Sequence, residues 1–383
     1  MFTKLKVMIL TLILFFPFNQ VFSADIPIIV IAPSKKAQSK STVGTSAVVY
    51  DENDIENSNE FFLQDILNFS TPGLNFNQNG GHGTFSGIQL RGLPKRYSTV
   101  YIDGVKMSDP STISNDYYFD DILKNQISRV EILRGNQSSI YGSGAMGGTI
   151  NITTKRGKPG FQKTLSYNTA SHQTHDLAFS VSGADENDDF YVGLERFETA
   201  GISAMTDNEE TDGYTNGTLV SNYGRKISDV LRFEVNYRLA DSFLNYDSAD
   251  SSTSNNNNDN NIGHTTESAG NLGLTYKPNN QLINQIKFAS LYTKRSYDEH
   301  DVWSNALEED QYRGYRNAIN YLGTYNINLD NSLTFGAEKE FDEMDYEKFE
   351  SDYNRSAEVT SKFFDLQSRI TNNLYATVGL RFD

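Results

Sequence analysis

From about Phe161 onward, apolar and polar residues alternate with period two in one stretch after another. In VLRFEVNYRLA, Leu231, Phe233, Val235, Tyr237 and Leu239 fall on one side, and Arg232, Glu234, Asn236 and Arg238 on the other. In LYATVGLRF, Leu374, Ala376, Val378, Leu380 and Phe382 alternate with Tyr375, Thr377, Gly379 and Arg381. DLAFSVSG, NLGLTYKP, TFGAEKEF and FFDLQSRI follow the same habit more loosely. Successive side chains of a strand point to opposite faces, so the pattern predicts roughly ten or eleven strands, each with one apolar and one polar face. The longest polar connection includes Ser251 to Asn261, SSTSNNNNDNN. It offers nothing to bury and is expected to be a mobile loop.

Residues 25–158 have a different grammar. Ser58-Asn59-Glu60 followed by FFLQDIL predicts a helix, with Phe62, Ile66 and Phe69 near helical spacing, stopping before Pro72-Gly73. IQLRGL (Ile88 to Leu93) and STVYIDGVKM (Ser98 to Met107) predict strands, the second folded back at Asp103-Gly104. DDILKNQI predicts a short helix leading into the strand SRVEILRG. The expected organisation is an α+β domain followed by an antiparallel β architecture.

Lys4 and Lys6, the apolar run Val7 to Phe16 and the small residues Ser23-Ala24 have the order of a secretory signal peptide, residues 1–23. The run is shorter than the roughly 20 residues a spanning helix needs. The mean hydropathy is −0.52. An exported chain this polar is either soluble or a transmembrane β-barrel, whose alternation averages out. The 22 Tyr and 24 Phe, crowded at segment ends, favour the barrel, where aromatic girdles mark the interfaces. A net charge of −16 argues against nucleic acid, and the absence of cysteine excludes disulfides and thiolate metal sites.

Gly142-x-Gly144-x-x-Gly147 has the spacing of a dinucleotide-binding loop. That loop must open a helix whose N-terminus holds the pyrophosphate. Here Gly148 is followed by TINITTK, a β-branched run that predicts a strand. The glycines therefore mark a tight, closely packed backbone between two strands. No nucleophile elbow, zinc-protease helix or phosphate loop is present, so no enzyme is indicated.

IDGVKMSDPS and ISRVEILRGNQSSIYGSGAMGGTINITTKRG resemble the plug domain of TonB-dependent outer-membrane receptors. The matching pieces are Ile102-Asp103-Gly104-Val105, Arg129-Val130-Glu131, Leu133-Arg134-Gly135, Tyr141-Gly142, Gly147-Gly148 and Ile150-Asn151-Ile152, with Leu90-Arg91-Gly92 and Thr71-Pro72-Gly73-Leu74 upstream. Asn136 stands where the family usually has proline. The resemblance implies a plug at 41–158 inside a transmembrane barrel beginning at 159, and uptake of a scarce nutrient driven by a periplasmic TonB-type partner. It implies turn glycines at Gly92, Gly104, Gly135, Gly142, Gly147 and Gly148, and plug charges Arg91, Glu131 and Arg134 at the boundary with the barrel. Within 24–40 it implies a TonB box at Ile28, Ile29, Val30, Ile31 and Ala32, a segment that adds as a strand to the partner.

ERFETAGISAMTDNEETDGYTNGTLV and the stretch ending Asn245-Tyr246-Asp247 look most like the vitamin B12 (cobalamin) branch, in which loop carboxylates bind calcium. The matching residues are Asp207, Asp212 and Asp247. Calcium takes six to eight oxygens, which such loops can supply. A ferric-siderophore receptor is the alternative substrate reading. Haem is disfavoured by the scatter of His82, His172, His175, His264 and His300, of which His82 alone falls in a plug loop. Other expected contacts are outer-membrane lipid and the nutrient, with no nucleic acid. A lumen that houses such a plug takes roughly 22 strands, about twice what 159–383 supplies. The chain is therefore expected to be the N-terminal part of a longer receptor. The reading of another class is a non-transporting fragment whose plug only binds a ligand or partner.

Overall fold

The computed structural model describes residues 29–30, 35, 38–40, 43–203, 211–248, 258–300, 307–348 and 351–383. The signal-peptide stretch lies outside them. The N-terminal elements are β1 (Ile29–Val30), β2 (Gln38–Ser39), β3 (Ser46–Tyr50), α1 (Glu52–Glu56), α2 (Leu63–Ser70), β4 (Leu74–Gln78), β5 (Ser86–Leu90), β6 (Ser98–Ile102), β7 (Val105–Lys106), β8 (Ile127–Arg134), α3 (Ser138–Tyr141) and β9 (Gly148–Thr154). A five-stranded sheet in the order β3-β8-β9-β6-β7 forms their centre, with β6 and β9 parallel. Ile55, Leu63, Leu67, Val130, Ile132 and Ile150 pack against it at 0% exposure.

Local chemistry explains the plug's boundaries. Asp51 caps α1 by accepting from the backbone of Asn53 and Asp54, and Asp54 returns a bond to the Asp51 amide. Asp103 and Gly104 both have positive φ (50° and 87°), the geometry of a tight hairpin turn. Gly148 has φ 146°, and a Cβ there would lie 2.0 Å from the Leu133 carbonyl oxygen. Thus β8 and β9 are held too close for any side chain, which is what the glycine run encodes. The segment after it is the strand β9, as the β-branched residues predicted.

Two expectations need correction. Phe69 is 79% exposed, while Phe62 and Ile66 are buried. The helix begins only at Leu63, so its buried stripe runs through Leu63, Ile66 and Leu67 instead. DDILKNQI contains no α-helix, only a 3-10 turn at Lys124–Gln126. Leu123 is extended (ψ 143°) and makes a β-bridge to Phe62, which displaces helix there.

The second part is one antiparallel sheet of eleven strands in sequence order: β10 (Gly160–Ala170), β11 (Thr174–Ala184), β12 (Asp188–Thr199), β13 (Tyr214–Ser228), β14 (Leu231–Ser248), β15 (Asn258–Tyr276), β16 (Leu282–His300), β17 (Leu307–Asn326), β18 (Asn331–Lys348), β19 (Ser351–Thr371) and β20 (Leu374–Phe382). It curves round the plug as a barrel wall. The parity read from VLRFEVNYRLA holds: Glu234, Asn236 and Arg238 reach plug or lumen groups, and Tyr237 and Phe243 face out. Leu194, Leu272, Phe288 and Ile319 continue the outward apolar band. β10 and β20 are the two edges of the sheet. Among the described residues no helix is long and apolar enough to cross a membrane. Asn258 to Asn261 open β15 and are not part of a loop; residues 251–257 lie outside the described residues.

Turn lengths orient the wall. Connections at one end are the short 185–187, 229–230, 277–281, 327–330 and 372–373; the other end carries 171–173, 200–213, 249–257, 301–306 and 349–350, three of which are longer than any at the first end. Longer loops mark the extracellular end of such a wall. Strands of 18 to 21 residues exceed the 9–11 that cross a bilayer, so β14–β19 rise well above the apolar band.

Candidate functional site

The plug meets the wall through polar contacts along much of its length, such as Asn125 with Glu195 and Asn222 with Thr154, and a buried set of them falls on one plug segment, residues 108–121. Arg238 on β14 meets Asp121 at 3.3 Å and donates to its carbonyl at 3.2 Å. Arg295 on β16 meets Asp109 at 3.1 Å and Ser111 Oγ at 3.1 Å. Arg316 on β17 donates to the Ser108 carbonyl at 2.5 Å and to Asn115 at 3.1 Å. Lys106, just before the segment, pairs with Glu340 of β18 at 2.9 Å. Arg238 and Arg316 are also held by wall carboxylates, Glu267 and Asp342, while Thr293 donates to Asp109, the partner of Arg295, at 2.8 Å. All three guanidiniums are buried, so the desolvation of each is offset by paired carboxylates and carbonyls. Alternation puts Arg238, Arg295 and Arg316 on the lumen side. It does not say which plug groups they meet, which is why sequence reasoning missed Asp109 and Asp121.

The plug charges expected at the boundary divide. Glu131 is buried, meets Arg129 at 2.8 Å and lines a cavity of about 330 Å³ shared with the wall residues Lys287 and Glu338. Arg134 bonds to Ser46 Oγ (2.7 Å) and the Pro72 carbonyl, both in the plug. Arg91 is exposed with φ 55°, and its amide donates to Gly73 at 2.8 Å. Gly92 and Gly135 are in the left-handed region beside it (φ 74° and 123°), as is Gly142 (φ 84°); a Cβ on Gly147 would touch the Tyr97 carbonyl at 3.0 Å.

At the coupling segment, Ile29–Val30 pair with Gln38–Ser39 in a two-residue ladder. Ile28, Ile31 and Ala32 lie outside the described residues. Lys35 is placed over the rings of Tyr141 and Phe363 (5.1 and 5.2 Å), and burial lowers its pKa.

The end of the plug nearer the long connections and the lumen face above it form an aromatic mouth. His82 stacks on Phe62 (4.6 Å between centroids) beside Phe197 and Tyr214. Burial lowers its pKa, which favours the neutral ring. Gly83 allows this contact, since a Cβ there would lie 2.4 Å from the Tyr214 ring. On the wall, Tyr246, Tyr297, Tyr312, Tyr346 and Tyr353 form a ladder with successive centroids 6.3, 6.2, 4.6 and 6.1 Å apart. Register puts Tyr312 opposite Arg295, Tyr346 opposite Tyr312 and Tyr353 opposite Tyr346, so the ladder shares the lumen parity. The periodic Tyr at that parity was the available sequence signal, and it was read only as girdle composition. Plug residue Tyr118 joins the mouth, with Arg295 4.7 Å above its ring.

For the calcium reading, Asp212 is buried and Asp247 lies 3.4 Å from Ser203 Oγ, while Asp207 is outside the described residues. Among the described residues no group of three or more His, Asp or Glu is placed to hold a metal ion.

Residues 39–149 match the family model of the TonB-dependent receptor plug domain. Solved structures share the arrangement at low identity. The FpvAI–pyocin S2 complex matches with TM-score 0.76 at 12% identity, over 92% of this chain and 54% of that one. The ferric yersiniabactin uptake receptor FyuA from Yersinia pestis gives 0.65 at 17%, over 88% and 56%. The RagAB peptide importer gives 0.71 at 12%, over 92% and 56%. The chain thus spans a little over half the length of these structures. Residues 39–149 thus match the plug-domain model of that family, and the chain shares the fold of these solved structures.

Proposed function

We propose that the protein is an outer-membrane receptor for active nutrient uptake, and that its cargo is an iron chelate of the siderophore class. The observation that carries the receptor reading is a plug seated in the wall by buried polar pairs as well as apolar contacts, among them Phe62 against Phe197 and Tyr141 beside Phe363. Such a plug can be parted from the wall by work done from the periplasm. Residues 28–32 are the segment on which that work acts, added as a strand to a TonB-type partner. FyuA is a ferric-chelate receptor by its description, and the aromatic mouth suits a chelate presenting flat, partly apolar surface. Cobalamin, the first expectation, rests on Asp207, Asp212 and Asp247 acting with calcium, and ranks second here.

The test is uptake of radioactive ferric chelates by iron-starved cells with the gene intact, deleted, or lacking codons 28–32. The expected result is uptake only with the intact gene and surface binding retained in the 28–32 deletion. Uptake that survives the short deletion refutes the coupling segment. Loss of cobalamin uptake, with iron uptake unaffected by gene deletion, replaces the substrate.

A further inference from the structure

The cavity of about 330 Å³ between the plug sheet and the wall has the N-terminal segment at its threshold. Register along β18 shows the order. From the short-connection end, the lumen-side positions run Ser332, Gly336, Glu338 and Glu340. Ser332 and Gln38 of β2 line a smaller cavity beside the turn 327–330. Gly336 is paired with Phe363 of β19, and the Lys35 ammonium stands over the Phe363 ring at 5.2 Å. Glu338 and Glu340 line the larger cavity, as does Lys35 itself. The steps from Ser332 to Glu340 span roughly 26 Å of strand. β2, Lys35 and the cavity therefore stand in series on one lumen face.

What holds Lys35 is also visible. Its ammonium lies over one ring from each domain, Tyr141 of the plug at 5.1 Å and Phe363 of the wall. Glu338 is the carboxylate that attracts it, while Arg381 and Lys287 oppose it. Among the described residues no carboxylate lies within ion-pair distance of it. A cation over two rings is a weak and reversible hold. The other tie on the segment, the β1–β2 ladder, pairs only Ile29–Val30 with Gln38–Ser39. The cavity lining carries both signs, Lys106, Lys287 and Arg316 with Glu131, Glu338 and Glu340. Such a space holds water and polar solutes, whereas dry cavities are apolar.

We propose that Lys35 is a latch that closes this cavity toward the short-connection end, by tying the N-terminal segment to the seam between plug and wall. Drawing the segment outward lifts the ammonium off both rings and admits small polar solutes to the cavity from that side. That a periplasmic partner supplies the draw through residues 28–32 rests on the uptake reading; the closure does not.

The chain has no native cysteine, so one introduced thiol reports on the cavity. Ala318→Cys places it on the lining, at a lumen-side position of β17 opposite Glu340. Its rate of reaction with trimethylammonium-ethyl methanethiosulfonate is measured on the purified receptor, with neither partner nor chelate present. Adding Lys35→Ser is expected to raise that rate about tenfold or more, while Lys35→Arg, which keeps a cation for the rings, stays within about twofold of the Lys35 parent. Amide exchange in β6 and β9 should be the same in all three. Equal rates for Lys35→Ser and its parent overturn the latch, and so does an Arg variant as fast as the Ser variant. Faster labelling together with faster exchange in β6 and β9 overturns it as well, because the plug sheet itself would then have opened.

A second arm separates the latch from the uptake reading. In iron-starved cells the parental thiol should react faster with the proton gradient intact than with it dissipated, and the Lys35→Ser thiol should react fast in both. If the parent reacts alike in the two conditions while Lys35→Ser keeps its faster rate, the closure stands and the draw from the periplasm falls.

Discussion

Arg295 is the most informative single position in the plug contact. Replacing it by Met leaves Asp109, 2% exposed, without its cationic partner. Three donors remain: Thr293 Oγ1 at 2.8 Å, and Ser111 through its amide at 2.8 Å and its hydroxyl at 2.7 Å. Breaking a buried ion pair from one side costs about 3–5 kcal/mol. The surviving hydrogen bonds put this case at the lower end, about 3 kcal/mol. At about 1.36 kcal/mol per factor of ten, the opening constant of segment 108–121 should rise about a hundredfold. Hydrogen exchange of peptides covering 108–121, followed by mass spectrometry on the intact receptor, reads that constant directly. Arg295→Met combined with Asp109→Asn removes both charges and should cost less than Arg295→Met alone, by about 2 kcal/mol. If Arg295→Met leaves exchange within about twofold of the parent, or if the double variant opens as readily as the single one, the pair does not hold the segment and the seating mechanism is wrong.

Gly148→Ala should prevent assembly of the plug, because the new Cβ meets the Leu133 carbonyl at 2.0 Å and φ is 146°. Gly92→Ala, with open space at its Cβ and φ 74°, should cost only about 1–2 kcal/mol; the yield of protease-resistant plug separates the two. Asp65 has its pKa raised to about 6, by burial first and by Glu60 second. The folded plug therefore binds a proton that the unfolded chain releases. That contribution is full at pH values below the unfolded pKa and is lost as pH climbs through the folded one. Asp65→Asn should stabilise the plug by about 1 kcal/mol near pH 8, after allowance for partial exposure, and by nothing near pH 4; denaturant midpoints at the two pH values check it. Removing calcium with a chelator should leave iron-chelate binding unchanged; a large loss would restore Asp207, Asp212 and Asp247 as a functional group.

The strands were legible because a wall with lipid on one face and polar contacts on the other imposes strict alternation, as in Leu231 to Leu239. The strand after Gly148 was legible because Thr149, Ile150 and Ile152 are β-branched, against a glycine spacing that pointed elsewhere. DDILKNQI was misread because helical propensity is local, while Leu123 is claimed by a distant bridge to Phe62. The arginines that seat the plug were visible only as lumen-side parity. Their partners lie some 117 to 208 positions away in sequence, beyond any local pattern. Glu131 was found through its motif, and its role at a shared cavity follows from β8 being a central strand of the plug sheet.

Segment 108–121 has a consequence for how such a molecule comes to exist. Its partners come from β14, β16 and β17, strands that follow the plug in the chain and cannot grip it until they stand side by side. Contacts of that sequence separation are slow to form, because the loop must close before anything rewards it. The plug, by contrast, has its own five-stranded sheet, and most of the cluster packed on it comes from the plug itself, with Ala269, Ala289, Leu291 and Ala318 added by the wall. On this ground the seat of segment 108–121 is expected to close only after the plug's own sheet has formed and β14, β16 and β17 stand side by side. Asp109 and Asp121, spaced along one loop, act as a template against which the growing sheet checks its own registration: a slip of one residue would turn Arg238, Arg295 or Arg316 away from the lumen.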